Sequence, residues 1–263
     1  MTVFFFCYII ESNISKREVT KMEIIKSTTA KELGERAAKL TAQKLNDAIS
    51  KNGKARIILS TGASQFETLE ALVKEDVDWS KVEMFHLDEY VNLPESHPAS
   101  FRKYLKERFI NLVHPMNAYL VDGDHPEETI EFLTKEISKE PIDVALIGIG
   151  ENGHIAFNDP PANFETKESY FVVNLDTKCR MQQVGEGWFK TIDDVPAQAI
   201  SMTPYRIMES NVIISCVPHA VKANAIKMTL EAKETTNMVP ATLLKEHKEW
   251  YLFVDANSAG DSI

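Results

Sequence analysis

Short apolar runs alternate with amphipathic stretches along most of the 263-residue chain. The runs Arg56–Ser60, Val82–Leu87, Ala118–Val121, Ile142–Ile147, Tyr170–Asn174, Asn211–Val217 and Trp250–Val254 have the length and the β-branched and aromatic content of strands. Several are apolar on both faces, as strands are when helices cover both sides of a sheet. Between them, Thr29–Ser50, Gln65–Lys74, Ser100–Asn111, Pro126–Glu136 and His219–Leu230 carry apolar residues at three- and four-residue spacing and predict helices. The alternation predicts an α/β fold, a Rossmann-like open, mostly parallel sheet with helices on both faces. No repeat, low-complexity tract or Gly/Ser linker divides it, so residues 22–263 read as one domain. The apolar run Val3–Ile10 is too short to span a bilayer and lacks the basic flank and cleavage site of a secretion signal. Residues 1–21 therefore read as an N-terminal extension, an appended tail or an over-long start, and Met22 opens the better-patterned part.

Composition narrows the function. At 44% hydrophobic residues the chain can bury a sizeable core. A net charge of −10 disfavours nucleic-acid partners, whose phosphates must be neutralised by Lys and Arg. It leaves room for one small phosphorylated ligand, which needs only a few local donors. Cys7, Cys179 and Cys216 form no CxxC pair and are odd in number, which points to a reducing, cytoplasmic setting without a disulfide framework. Cys216, inside VIISCV, reads as a core residue, with a catalytic thiol as the alternative. No other segment has the pattern of a membrane span.

Ligands of open α/β sheets bind beyond the carboxyl ends of the strands, and that rule selects the loops to read. After the first run comes STGAS and a helix: Gly62 permits a tight turn, Ala63 lets a ligand approach, Thr61 and Ser64 offer hydroxyls, and the helix start offers N–H groups to a phosphate. An ordinary N-cap at Ser64 is the alternative. After the second run, Asp88 and Glu89 stand where the strand ends, ahead of a loop stiffened by Pro94 and Pro98. A rigidly held carboxylate there suits a general base; a metal site from His86, Asp88, Glu89 and His97 is disfavoured because adjacent strand residues point to opposite faces. The third loop reads GIGENGHIAFNDPP. Its glycines fit GxGxxG, but it does not follow the first strand and no amphipathic helix follows it, so a dinucleotide site is a weak reading. His154 stands among Asn152, Asn158 and Asp159, either as a structural residue or as a proton carrier near neutral pH oriented by Asp159 or Glu151.

Taken together, FHLDEYVNLPESHPASF, GIGENGHIAFNDP, STGAS with its helix, TTAKELGERAA and VPATLLKEH with WYLFVD resemble the glucosamine-6-phosphate deaminase family, over Met22 to Asp255. The resemblance implies conversion of an amino-sugar phosphate to a keto-sugar phosphate with release of ammonia and without a cofactor, by an enzyme acting as a hydrolase on an amino-sugar phosphate. It implies Asp88 as the base that moves a proton between C2 and C1, and His154 as the promoter of ring opening with Asp159 and Asn152. Thr61, Gly62, Ala63 and Ser64 would line the phosphate, with Lys222 opposite. No metal is implied; the partner is a small sugar phosphate, and a homo-oligomer stays open.

The chain departs from the family pattern at several places. Asn152 stands where many members have Asp, and Asp159 replaces Glu in FNEP. Gln183 falls nearest the usual phosphate-binding Arg, which passes that task to Arg180, and Thr203-Pro204-Tyr205 replaces Gly-Val-Gly. An isomeric amino-sugar phosphate would use the same chemistry. Two rivals are a 6-phosphogluconolactonase and a sugar-phosphate sensor. The lactonase loops continue Ser-Leu-Phe-Pro and read Asp-Glu-Arg, against Phe-Asn-Asp-Pro and Asp-Glu-Tyr here. The sensor would need a DNA-binding helix-turn-helix, for which the 21-residue tail is too short and not basic enough.

Overall fold

The computed structural model describes residues 21–185 and 187–260. The expected extension 1–21 lies outside them except for Lys21, the first residue of β1. In chain order the elements are β1 (Lys21–Lys26), α1 (Ala30–Asn52), β2 (Ala55–Leu59), α2 (Phe66–Leu72), β3 (Val82–His86), β4 (Asp88–Tyr90), α3 (Phe101–Leu105), α4 (Asn111–Val113) and β5 (Asn117–Tyr119). There follow α5 (Pro126–Ile137), β6 (Val144–Leu146), β7 (Tyr170–Asn174), α6 (Thr177–Gly185), β8 (Gln198–Met202), α7 (Pro204–Met208), β9 (Val212–Val217), α8 (Ala223–Glu231), β10 (Glu249–Val254) and α9 (Ala256–Ala259).

A seven-stranded sheet runs in the order β1-β10-β9-β6-β2-β3-β5, with every pairing parallel. Its strands feed two cores, one per face. Along β2, Ile57 and Leu59 pack with α1 and α2, whereas Ile58 packs on the opposite side with Leu133 and Ile137 of α5 and Ile226 of α8. This is the alternation that a strand buried on both faces requires. Helix α1 starts at Thr29, whose side chain accepts the Glu32 N–H, and stops at Gly53 in the left-handed region. Arg56 is buried between the layers; it pairs with Glu83 at 3.0 Å and donates to the carbonyls of Glu136, Ile137 and Glu140, closing the C-terminal end of α5.

A second, three-stranded sheet, β4-β8-β7, is antiparallel. It corrects one expectation: Tyr170–Asn174 forms a strand but does not join the parallel sheet. Only Tyr170 of this strand is buried; Phe171 and Val173 are half-buried, and Val172 and Asn174 are exposed, so it is not covered on both faces as a central strand of the parallel sheet is. The second sheet also turns Asp88–Tyr90 from loop into strand. A third core of Tyr90, Phe157, Cys179, Phe189 and Ala199 lies between this sheet and α6. The expected helix Ser100–Asn111 forms as one continuous helical run over residues 101–113, with a π turn at Lys106–Ile110 between α3 and α4. Among the described residues no helix is long and apolar enough to cross a membrane.

Candidate active site

From β2 the chain steps outward to β3 and β5, then returns across β2 to place β6 on its other side. The loops leaving β2 and β6 therefore diverge, and a crevice opens between them at the carboxyl ends of the strands. A cleft of about 1070 Å³ lies there, lined by Ser60–Ser64, Asp88, Gly148–Asn152, His154, one face of α6, and His219 and Lys222.

The loop after β2 is held in one shape. Gly62 has φ 98° and ψ 167°, a conformation essentially reserved for glycine. Gln65 is buried, and its amide donates to the Ser64 hydroxyl at 3.0 Å and to the Cys216 carbonyl at 3.1 Å, tying the loop to β9. The N–H groups of Ala63 and Ser64 open the turn Ala63–Gln65 and have no acceptor within it. Across the cleft, Lys222 is buried in the 3₁₀ turn Ala220–Lys222. The preceding His219, at φ 79°, is fixed by its N–H donating to Asp255.

Asp88 and Glu89 separate once they are on a strand. Glu89 points inward; its carboxylate accepts from Tyr90 N–H, Ser100 Oγ and Arg102 N–H at 2.8–2.9 Å, so it anchors the start of α3. Asp88 points to the cleft while remaining 6% exposed. Burial, and secondly the charge of Glu89, push its carboxyl up to about 8. A carboxyl with that value changes protonation near neutral pH, as a general base must.

The loop after β6 builds a relay. His154 Nδ1 is 2.7 Å from Asn152 Oδ1 and 3.1 Å from an Asp159 oxygen, and Asn152 Nδ2 donates to that same oxygen at 2.9 Å. The amide can donate to a carboxylate only through its NH₂, so its oxygen faces the imidazole. Nδ1 thus meets two acceptors and carries the proton, leaving Nε2 for a ligand. Burial alone would raise the Asp159 pKa, but hydrogen bonds and charge from His154, with Asn152 and Cys179, hold it down at about 2. Gly150 gives the ring its place: a Cβ there would lie 2.1–2.4 Å from three ring atoms. The glycine spacing that resembles a dinucleotide loop serves this contact.

Asp88, Asn152, His154, Thr61, Gly62, Ala63, Ser64 and Lys222 line one cleft, with Asp159 bonded just behind it. Arg180 is not among the lining residues; its guanidinium donates to the Ile192 carbonyl at 2.5 Å. The same face of α6 brings Cys179 and Gln183 to the cleft, and Gln183 Oε1 accepts the Tyr90 hydroxyl at 2.8 Å. The residues of the metal alternative are engaged apart from one another: His86 Nδ1 accepts from Val121 N–H, Glu89 holds α3, and His97 accepts from Ala99 N–H and stacks on Phe189. No group of three or more candidate ligands stands together among the described residues.

Two buried residues that sequence reasoning left without a role join the halves of the site. Ser201 pairs in register with Asp88 across β4 and β8, and its hydroxyl accepts the Phe157 N–H at 3.1 Å. Asn158 donates to Ser201 Oγ, Ile155 O and Met202 O. The strand beside the carboxyl is thereby tied to the loop that carries the imidazole.

Residues 28–253 match the family model described as glucosamine-6-phosphate isomerases/6-phosphogluconolactonase. The chain is 32% identical over 239 residues to a glucosamine-6-phosphate deaminase of Streptococcus pneumoniae serotype 4, covering 90% of this chain and 98% of that protein. A solved monomeric glucosamine-6-phosphate deaminase superposes with a TM-score of 0.80 at 28% identity, covering 90% of this chain and 99% of that one. A 6-phosphogluconolactonase of Thermotoga maritima superposes with a TM-score of 0.74 at 18% identity, over 89% and 100% of the two chains, and shares the fold.

Proposed function

The chain belongs to the family of glucosamine-6-phosphate isomerases and 6-phosphogluconolactonases, and we propose that its cleft isomerises and deaminates a hexosamine 6-phosphate, glucosamine 6-phosphate giving fructose 6-phosphate and ammonia. One observation carries this reading: a carboxyl poised near neutral pH and an imidazole with a fixed tautomer face the same cleft as the helix-start loop Thr61–Ser64 and a buried lysine.

The phosphate is assigned to the N–H and hydroxyl groups of Thr61, Gly62, Ala63 and Ser64, with Lys222 opposite. Arg180 would join them only by leaving the Ile192 carbonyl. His154 Nε2 exchanges a proton with the anomeric hydroxyl and ring oxygen, and Asp159, directly and through Asn152, steadies the imidazolium that forms. In the opened sugar, Asp88 takes the C2 proton while O1 gains one, giving an enolamine. Return of the proton to C1 with loss of one from nitrogen leaves an imine at C2, and water converts it to the ketone and ammonia. Burial raises the Asp88 carboxyl to about 8, and a C2 ammonium placed beside it favours the carboxylate, so substrate binding itself prepares the base.

The test is ammonia release from glucosamine 6-phosphate, followed with a coupled glutamate dehydrogenase assay. Equal amounts of ammonia and fructose 6-phosphate are expected, and none from Asp88→Asn with an unchanged circular dichroism spectrum. Rapid hydrolysis of 6-phosphogluconolactone, with no ammonia from any hexosamine 6-phosphate, would overturn the proposal.

A further inference from the structure

We infer that Tyr104, which lies outside the cleft, is a positioning residue that sets the affinity of the Thr61–Ser64 loop for the phosphate of its ligand. The inference rests on the reading of that loop as the phosphate site. The Tyr104 hydroxyl donates to the Gly62 carbonyl oxygen at 3.0 Å, and the Gln65 N–H reaches the same oxygen at 3.1 Å. Both acceptor positions of this carbonyl are therefore filled, one from within the turn and one from α3.

The consequence follows from peptide geometry. In a trans peptide the C=O of one residue and the N–H of the next point in opposite directions. Drawing the Gly62 oxygen toward Tyr104, behind the loop, turns the Ala63 N–H the other way, and Ala63 is on the cleft side. Gly62 places no restraint of its own on this peptide, since glycine occupies many backbone conformations at similar cost. The side chain that restrains it is itself well held. Tyr104 is 7% exposed, its ring stacks on Phe66 at 5.6 Å between centroids, and the Arg108 guanidinium covers Phe66 at 3.9 Å. Burial pushes the phenol far above its ordinary range, so the hydroxyl stays a neutral donor at every working pH.

Nothing in this arrangement touches the reacting carbons, so the effect belongs to binding. Losing one neutral hydrogen bond, with the Gln65 N–H still in place, weakens the restraint without removing it. Tyr104→Phe keeps the ring and its stacking and deletes only the hydroxyl. Its KM for glucosamine 6-phosphate is expected to rise about fivefold to tenfold, within the range one net hydrogen bond supplies, with kcat within about twofold of the parent.

Protection by inorganic phosphate, read as the rise in Tm with phosphate concentration, gives a second measure that needs no turnover. The parent should be protected, and Tyr104→Phe should need about fivefold to tenfold more phosphate for the same rise. Gly62→Ala, which excludes the present backbone conformation, should weaken phosphate protection at least as much. If neither protein releases ammonia but the phosphate curves differ as stated, the catalytic proposal fails and the role of Tyr104 stands. Unchanged KM and unchanged phosphate protection in Tyr104→Phe, even with a lower Tm, would overturn the role, as would a fall in kcat at constant KM.

Discussion

Replacing Asp88 by Asn should remove activity and at the same time stabilise the protein, by an amount that grows with pH. The folded carboxyl is pushed up to about 8, first by burial and second by the charge of Glu89, whereas an unperturbed Asp titrates near ~3.9. Between those values the folded chain keeps a proton that the unfolded chain has lost. A group raised in this way contributes stability that is fully present below the unfolded pKa and is lost as pH rises through the folded one. Each pH unit inside the window costs about 1.4 kcal/mol, so passing from pH 5 to pH 7 removes at most about 3 kcal/mol through this one side chain. Asn is nearly isosteric and does not titrate. Glu89, also raised by burial, is common to both proteins and cancels to first order.

The measurement is Tm for both proteins from pH 4 to pH 8. The advantage of Asp88→Asn should be near zero at pH 4 and should widen by roughly 5–10 °C between pH 5 and pH 7 in a chain of this size. In the parent enzyme the acid limb of kcat/KM, which reports the free enzyme, should lie well above the usual carboxylate range. The limb of kcat, which reports the complex, should lie lower because the substrate ammonium favours the carboxylate. A Tm difference that is the same at pH 5 and pH 7.5 would refute the reasoning, since Asp88 would then ionise in the cleft as it does in water.

Three further substitutions probe the other parts of the site. Gly150→Ala would drive a methyl into the His154 ring, 2.1–2.4 Å from its atoms; kcat should fall on the order of 10²-fold through misplacement of the imidazole, with a small change in Tm. Asp159→Asn acts opposite in sign to Asp88→Asn. Its depressed pKa of about 2 contributes stability above the unfolded value, lost as pH falls through the folded one, so the variant should lose up to about 2 kcal/mol at pH 7 and about 10²-fold or more in turnover of cyclic substrate. Ser201→Ala strands the Phe157 N–H and one bond of Asn158, which should cost about 1–3 kcal/mol by denaturant unfolding and lower kcat more than it raises KM.

Most of the parallel sheet is legible in the sequence because β2, β6, β9 and β10 are buried apolar runs that stand apart from the amphipathic helices; its edge strand β1, with a lysine at each end and partly exposed, is not among the expected strands. The small sheet is not legible. β4 is three residues long and begins with two acids, and β8 mixes Ser and Gln with Ala, Ile and Met. Their pairing is a tertiary event, made where the loop after β6 packs against them. Helix α6 is equally hidden: of its nine residues only Cys179 and Gln183 are buried, too sparse a stripe to register as a helical period. Those two are four residues apart and share a face, while Arg180 is turned about 100° from Cys179. Spacing within the loop cannot show that Arg180 meets the Ile192 carbonyl. The loops at the strand ends, by contrast, are found by a topological rule that needs no side-chain geometry. The hydrogen bonds of Tyr104, Ser201 and Asn158 span tens of residues and leave no local mark.

The two departures in the relay make physical sense as one change. A carboxylate at position 152, in the present geometry, would bring two carboxylates to about the 2.9 Å that now separates Asn152 Nδ2 from Asp159, and one of the pair would then hold a proton near neutral pH. Asn152 avoids that repulsion and adds a donor. Its NH₂ helps keep Asp159 ionised, and its oxygen takes the closer position to the imidazole, at 2.7 Å against 3.1 Å. The shorter side chain of Asp159 still reaches the ring, and part of the work of a longer acid is done through the amide. The site thus joins a carboxyl in the cleft, held at about 8 by a dry environment, to another just behind it, held at about 2 by its partners. In the proposed reaction, environments that push two carboxyl groups this far apart suit them to different tasks: Asp88 would accept and return a proton during turnover, and Asp159 would remain a fixed charge behind His154 while it does so.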